Sequence, residues 1–342
     1  MASIYLRLRT GKEGKILSKV IFQGMGGLGN QLFQLAAALN LAREHEVFYF
    51  QRDFNECISS LLICEELRVT QLKTKRSKFA SLSQRFIGLA LRVNFSQKKV
   101  GKLSPLLIWI LAYLSRLPLS LAFGRRINRV IIMNCLDSIE LPKLIKDECV
   151  MVIGYFQNWR TTENIEVVAT LKLLLKANDS QIGSSLKPDI KSLVLHFRLG
   201  DYIGEKFGIL ETDYYLKALE LLKKDGDKYF IYAFSDDLEL AKALHSQQIV
   251  EYLDNDKTFI GLKWVEEVNL TSFESWNNMR EADSFVIANS SFSWWAARLS
   301  MNESLRVFAP IPWFNTSESP QQIIPPDWIG LQSTFAADRK LK

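Results

Sequence analysis

Short apolar runs alternate with longer helical patterns along most of this chain. Residues 20–24 predict a strand. Leu32, Phe33, Leu35, Ala36, Leu39 and Ala42 recur at helical spacing and predict a helix over 29–44, and residues 47–50 predict the next strand. Residues 1–19 read as a variable lead-in. Residues 149–156 read as a strand and 165–176 as a helix, followed by a polar, turn-rich stretch at 178–185 that suggests a domain boundary. The second half is more regular. Strands are expected at 193–197, 229–234, 249–253, 285–288 and 306–309. Helices are expected at 214–224, 238–245 and 276–283, with another carrying Trp294, Trp295 and Leu299. Strand and helix in alternation mean an α/β protein with parallel sheets. The expected domains are 1–180 and 181–342.

In open parallel sheets, ligands bind beyond the carboxyl ends of the strands. Four strand ends of the second half carry polar residues: His196 to Asp201, Ser235 to Asp237, Asn289 to Ser291, and Pro310 to Trp313. They should meet at one site. Arg198 shares a strand face with His196 and can grip phosphate oxygens with its planar fork. Asp201 can orient Arg198, accept a hydroxyl proton, or form a plain turn ion pair. Asp236 and Asp237 can cap the next helix, accept bonds from a ribose or purine, or, more weakly, hold a divalent cation. Asn289, Ser290 and Ser291 stand where a helix start offers N–H groups to a diphosphate. Phe292 can stack on a base, whereas Trp294 and Trp295 read as core.

The first half has its own phosphate-cradle candidate. Gly24, Gly26 and Gly29 spell G-x-G-x-x-G between a strand and a helix, as in dinucleotide-binding proteins. Two features tell against a nicotinamide enzyme. Asn30 and Gln31 put polar side chains where such a helix packs closely. The second strand also lacks a well-placed acidic residue, with Glu44 and Glu46 too early and Asp53 late.

Composition narrows the picture. The chain has 342 residues, 48% of them hydrophobic, enough for two cores. Cys57, Cys64, Cys135 and Cys149 form no CxxC pair and read as reduced thiols of a cytoplasmic protein. The three histidines show no metal-ligand spacing, and His45 reads as a helix C-terminal cap. No signal peptide is expected. The net charge of +6 conceals an asymmetry: residues 67–136 hold 14 Lys/Arg and no Asp or Glu, leaving −8 for the rest. That segment reads as an insertion, either a solvated surface or a binding device. Its apolar stretch 103–123 reads as a buried helix or, alternatively, as one lying on an anionic leaflet. Nucleic acid is not expected, for lack of interleaved aromatic residues.

The motifs together resemble glycosyltransferase family 11, the α-1,2-fucosyltransferases. Gly26-Gly27-Leu28-Gly29-Asn30-Gln31-Leu32-Phe33-Gln34 is similar to its opening signature, and His196-Phe197-Arg198-Leu199-Gly200-Asp201-Tyr202 to its H-x-R-R-x-D motif. Phe234 to Asp237, Ile287 to Trp295 and Phe308 to Phe314 are similar to its later motifs. The resemblance implies a GT-B-like fold, two Rossmann-like α/β domains facing a cleft. It also implies inverting, metal-independent transfer from GDP-β-L-fucose with no cofactor. The acceptor would be a galactose-containing oligosaccharide or lipid-linked glycan at the inner face of the plasma membrane. The first domain would face the acceptor. The second would hold the donor, its last residues packing back on the first.

By that resemblance Arg198 neutralises the departing β-phosphate. Gly27, Gly29 and Asn30 lie near the diphosphate. Ser235, Asp236 and Asp237 read ribose or guanine, and Asn289, Ser290, Ser291 and Phe292 complete the cradle. His196, Asp201 and Glu211 are the candidate bases. The chain departs from the pattern at Leu199, where the family has a second arginine. An oxidoreductase using the first glycine turn, and a nucleotide-sugar-binding protein without turnover, are the competing readings.

Overall fold

A computed structural model describes residues 4–8, 18–42, 45–51, 104–123, 126–132, 147–175, 186–187, 189–203, 207–254, 256–266, 270–302, 305–316, 320 and 322–336. The boundary at 178–185, Glu44, Asp53, Cys57, Cys64, Cys135 and most of the basic segment lie outside them. By internal contacts the chain divides into two units, Met1–Leu175 and Lys176–Lys342.

Unit 1 is built on a five-stranded sheet ordered β1-β3-β2-β5-β4. The strands are β1 (Ile4–Leu8), β2 (Ser18–Gly24), β3 (Glu46–Gln51), β4 (Arg129–Ile132) and β5 (Glu148–Ile153). All neighbours are parallel except β1, which runs antiparallel to β3. A strand therefore occupies the region read as a lead-in. β2 and β5 are buried nearly throughout, as expected for central parallel strands covered on both faces. Helix α1 (Leu28–Leu41) follows β2, and α3 (Ile165–Leu174) follows β5. Helix α2 (Ser104–Phe123) packs Ile108, Leu111 and Ala112 into a core with Ile21, Phe48, Met151 and Ile153. The segment read as an insertion thus supplies, in its described part, a core helix and the edge strand β4. The helix runs through Pro118, whose ring nitrogen cannot donate to the carbonyl of Leu114.

Unit 2 is an all-parallel six-stranded sheet ordered β11-β10-β9-β6-β7-β8. The strands are β6 (Ile190–Phe197), β7 (Lys228–Ser235), β8 (Phe259–Trp264), β9 (Ser284–Val286), β10 (Arg306–Ile311) and β11 (Ile329–Gln332). Crossovers are α4 (Thr212–Lys223), α5, α6 (Ser272–Arg280) and α7 (Ser291–Arg298). α5 runs from Leu238–Ala241 through a π-helical turn at Lys242–Ser246 into Gln247–Leu253. Residues 249–253, expected as a strand, are therefore helical. Ile249 and Leu253, four apart, share the buried face of one turn, and a five-residue segment with apolar residues on both sides of Glu251 cannot distinguish strand from helix by itself. The strand stands instead at β8, where Gly261 leaves room for the Phe230 ring. β11 is a further strand beyond the last one expected.

Two α/β units, one all-parallel and one parallel apart from β1, make the fold GT-B-like. In unit 2 the chain moves from β6 to β7 on one side and returns to β9 on the other. The carboxyl ends of β6 and β9 therefore form the switch point at which such sheets leave a crevice.

Candidate functional site

The site is centred on the end of β6. Alternation along the strand places Leu193, Leu195 and Phe197 in the core, with Val194 and His196 on the other face. Leu199 returns to the core side and is 1% exposed. Its side chain packs in the same cluster as Phe197, so leucine here serves the core.

Arg198 is tied from two sides. Its Nη2 lies 2.8 Å from Asp201 Oδ1, and its Nη1 lies 3.3 Å from Asp236 Oδ2. The guanidinium also lies 5.5 Å from the centre of the Tyr202 ring. Burial disfavours the charge, but Asp236 and Asp201 more than offset it, so the arginine is held protonated. Asp236 is the anchor: its Oδ1 accepts from the Leu199 N–H at 2.8 Å while its Oδ2 faces Arg198. A Cβ on Gly200 would come within 2.9 Å of that Oδ2, which explains glycine at this point. The strand end is thereby pinned to the end of β7, and the arginine with it.

The other strand ends join the same cluster. Tyr202 donates its hydroxyl to the Asn289 carbonyl at 2.9 Å. Asn289 Nδ2 donates to the carbonyls of Phe207 and Gly208, stitching the loop after β6 to the end of β9. The Phe207 ring packs on Tyr202 and on Phe314 beyond β10, and the Asn315 N–H donates to the Phe207 carbonyl. All four polar strand ends thus converge. Asn289 keeps one buried amide oxygen, Oδ1, without a partner. An acceptor of that kind repels phosphate oxygen, so a donating role for the Asn289 side chain toward a diphosphate gives way to holding the loop. Ser290 caps α7 by accepting from the Phe292 N–H, and Ser291 opens the helix.

Several candidates are engaged elsewhere within the protein. Asp237 caps α5, accepting from the Leu240 N–H at 3.1 Å, and Ser235 closes the turn onto Asp237. Their bonds run within the turn. Glu211 is the N-cap position of α4; its N–H donates to the Thr334 carbonyl in the C-terminal strip, which therefore packs on unit 2 itself. His196 is buried, its Nδ1 has no partner, and its ring lies 6.0 Å from Phe292. Burial, with Arg198 nearby, lowers its pKa to about 3. Phe292 is half-buried beside it. Trp294 and Trp295 are fully buried.

Unit 1 has a separate cluster at the ends of β2 and β5. Gly26 adopts φ +73, and a Cβ there would meet Asn30 Nδ2 at 2.7 Å, so the turn requires glycine twice over. Gly29, by contrast, lies inside the first turn of α1 and is buried, and Gly27 is the N-cap position. Gln31 and Gln34, both fully buried, reach back to fix the turn: Gln31 Nε2 donates to the Gly26 carbonyl, and Gln34 pairs with both the N–H and the carbonyl of Met25. Their three-residue spacing was the signal in the sequence that they share this face. Asn30 Oδ1 accepts from Gln157 Nε2 at 2.7 Å. Gln157 follows Phe156, a non-glycine residue at φ 54 whose ring packs on Phe22. Backbone held in that region costs about 1–2 kcal/mol and clusters at functional positions. His45 bonds the Ser18 hydroxyl at 2.9 Å, while its N–H takes up the Leu41 carbonyl at the end of α1.

Among the described residues, no group of three or more His, Cys, Asp or Glu gathers as a metal site.

The profile of glycosyltransferase family 11 matches residues 127–332. An α-1,2-colitosyltransferase of Escherichia coli is 30% identical over 173 residues, 48% of this chain; the chain spans 57% of that relative's length. The O-antigen biosynthesis glycosyltransferase WbnK of Escherichia coli is 26% identical over 325 residues, covering 90% of this chain and 98% of WbnK. A solved structure of an Arabidopsis thaliana FUT1 mutant in complex with GDP has a TM-score of 0.47 at 12% identity, over 93% of this chain and 76% of that one. The chain belongs to glycosyltransferase family 11.

Proposed function

We propose that this member of glycosyltransferase family 11 is an inverting α-1,2-fucosyltransferase. It moves fucose from GDP-β-L-fucose to the 2-hydroxyl of a galactose-containing acceptor in surface-polysaccharide synthesis. The single observation that carries this is Arg198: a cation fixed by Asp236 and Asp201 at the sheet's switch point, where the leaving diphosphate gains charge. A fixed cation aimed at developing charge costs no reorganisation at the moment of reaction. The α-1,2 linkage and the polysaccharide setting are supported by the names of the two bacterial relatives.

In this reading the acceptor oxygen forms a bond to the anomeric carbon as the bond to the β-phosphate oxygen breaks. GDP leaves with the electron pair, and configuration inverts. The Ser290–Ser291 start of α7 offers N–H groups to the diphosphate, and Phe292 offers a ring face to the base. The hydroxyl proton is lost late in a loose, oxocarbenium-like process, which asks little of a base. His196 is the weakest of the three candidates because its pKa of about 3 leaves little basicity. Asp201 stands beside Arg198 and is largely exposed.

One second reading has an observation behind it. The colitosyltransferase relative suggests colitose in place of fucose as the transferred sugar. Incubation with GDP-fucose and GDP-colitose against a panel of galactose-terminated acceptors, with the linkage read by NMR, decides between them. Transfer from neither donor, with tight GDP binding retained, would leave a nucleotide-sugar-binding protein. Saturable nicotinamide binding without GDP binding would favour an oxidoreductase.

A further inference from the structure

Helix α2 has two apolar faces, and among the described residues only one packs into the core of unit 1. Ile108, Leu111, Ala112 and Ser115 are buried. Leu106, Trp109, Ile110, Tyr113, Leu114 and Leu117 are exposed, between 38% and 70%. The steps between these six alternate between three residues and one, so that 106, 110, 114 and 109, 113, 117 recur every fourth residue and form one continuous stripe, roughly 16 Å long at helical rise. The rings of Trp109 and Tyr113 stack at 5.6 Å within it. The Arg116 guanidinium lies 5.2 Å from the Tyr113 ring at its border. A contiguous apolar strip of this size in water marks an interaction surface.

Charge identifies the partner. The helix lies within the segment 67–136, which carries 14 basic and no acidic residues, while the remainder of the chain is acidic on balance. Arg116 sits on the helix and Arg126 is exposed just beyond it. A second copy of the chain would bring two such basic segments together and be repelled. Anionic headgroups are attracted, and stacked Trp and Tyr beside Arg is the chemistry of a lipid–water interface. No helix among the described residues is long and apolar enough to cross a membrane, so the contact is one of lying on the surface.

We propose that α2 is an in-plane docking helix for an anionic membrane surface. The stripe from Leu106 to Leu117 enters the acyl boundary, and Arg116 and Arg126 meet the headgroups. This role is independent of which sugar is transferred.

The test is co-flotation of the full chain with vesicles of phosphatidylcholine alone, or with about one quarter phosphatidylglycerol, at low salt and at about 0.5 M salt. The expected result is capture by the anionic vesicles, weakened ~10-fold by salt. Brominated lipid should quench wild-type emission more than that of Trp109→Phe. The doubly substituted Trp109→Ser, Leu117→Ser protein should lose ~10-fold or more in partitioning, because both positions face the proposed acyl boundary. Its melting temperature and its turnover of a soluble acceptor should stay near wild type. Three outcomes would overturn the proposal: no capture of the wild type by anionic vesicles, equal capture of the double variant, or sedimentation showing a dimer that these substitutions dissolve.

Discussion

The two sheet edges of this protein are built from different chemistry. At the edge of unit 2, Arg198, Asp236 and Asp201 form a charged cluster anchored through the Leu199 N–H. At the edge of unit 1 the cluster is neutral. Asn30 and Gln157 pair through their amides, while Gln31 and Gln34 hold the glycine turn. A buried charge must be compensated, so unit 2 commits two carboxylates to one arginine. A buried amide needs only a hydrogen-bond partner. Under the proposed reaction the charged cluster of unit 2 is the one suited to a departing diphosphate, and the neutral cluster of unit 1 is the one whose role the variants below separate.

The largest effect that would break this comparison is expected from Arg198→Ala. Loss of an electrostatic stabiliser of this type costs about 10²–10³ in kcat. Turnover near wild type in a variant with a normal melting temperature would remove Arg198 from the mechanism. Asp236→Asn keeps the shape and can still accept from Leu199, but it weakens the hold on the guanidinium. A loss of about 10-fold in kcat/KM is expected, with Asp201→Asn smaller because Asp201 is the more exposed partner.

Asn30→Ala tests the neutral edge. Turnover should fall about 10-fold while the Kd for GDP, measured by calorimetry, changes little, since no charge is lost. A collapse of GDP affinity in this variant would place the first glycine turn on the nucleotide after all. A further effect, on stability and not on turnover, is one of pH. Burial lowers His196 to about 3 and His245 to about 4, below their unfolded value. The unfolded chain therefore binds more protons below pH 6.5, and stability should fall as pH drops from there. The slope is up to ~1.4 kcal/mol per pH unit for each histidine, flattening toward the folded values. Both residues lie in unit 2. Denaturant titrations at several pH values should therefore show the acid-sensitive transition in that unit, and a pH-independent midpoint between 7 and 5 would contradict the burial of both imidazoles.

Much of the α/β alternation was legible in advance, because strands buried on both faces and helices with one apolar face leave different periods. β1, β4, β8 and β11 were not, as short edge or near-edge strands carry weak patterns. Residues 249–253 differ from the expected strand because so short a segment, apolar on both sides of Glu251, suits either element. In the site, Arg198, Asp201 and the four converging strand ends stood out as polar residues following apolar runs. Gln157 and Tyr202 did not, since glutamine and tyrosine in loops carry no local signal, and their partners lie 127 and 87 residues away in the chain.

Local rules of spacing and residue chemistry were thus enough to determine the strand–helix alternation, the glycine turn before α1, the arginine at the end of β6 and the basic, acid-free segment around α2. Tertiary structure alone decided which carboxylate does what. Asp236 and Asp237 are adjacent in sequence, yet one anchors Arg198 and the other caps a helix, because backbone direction at the end of β7 turns them to different neighbours. It also decided that Leu199 belongs to the core, and that α2 buries one apolar face while exposing the other. Composition counts apolar residues, but only packing determines which of them remain uncovered.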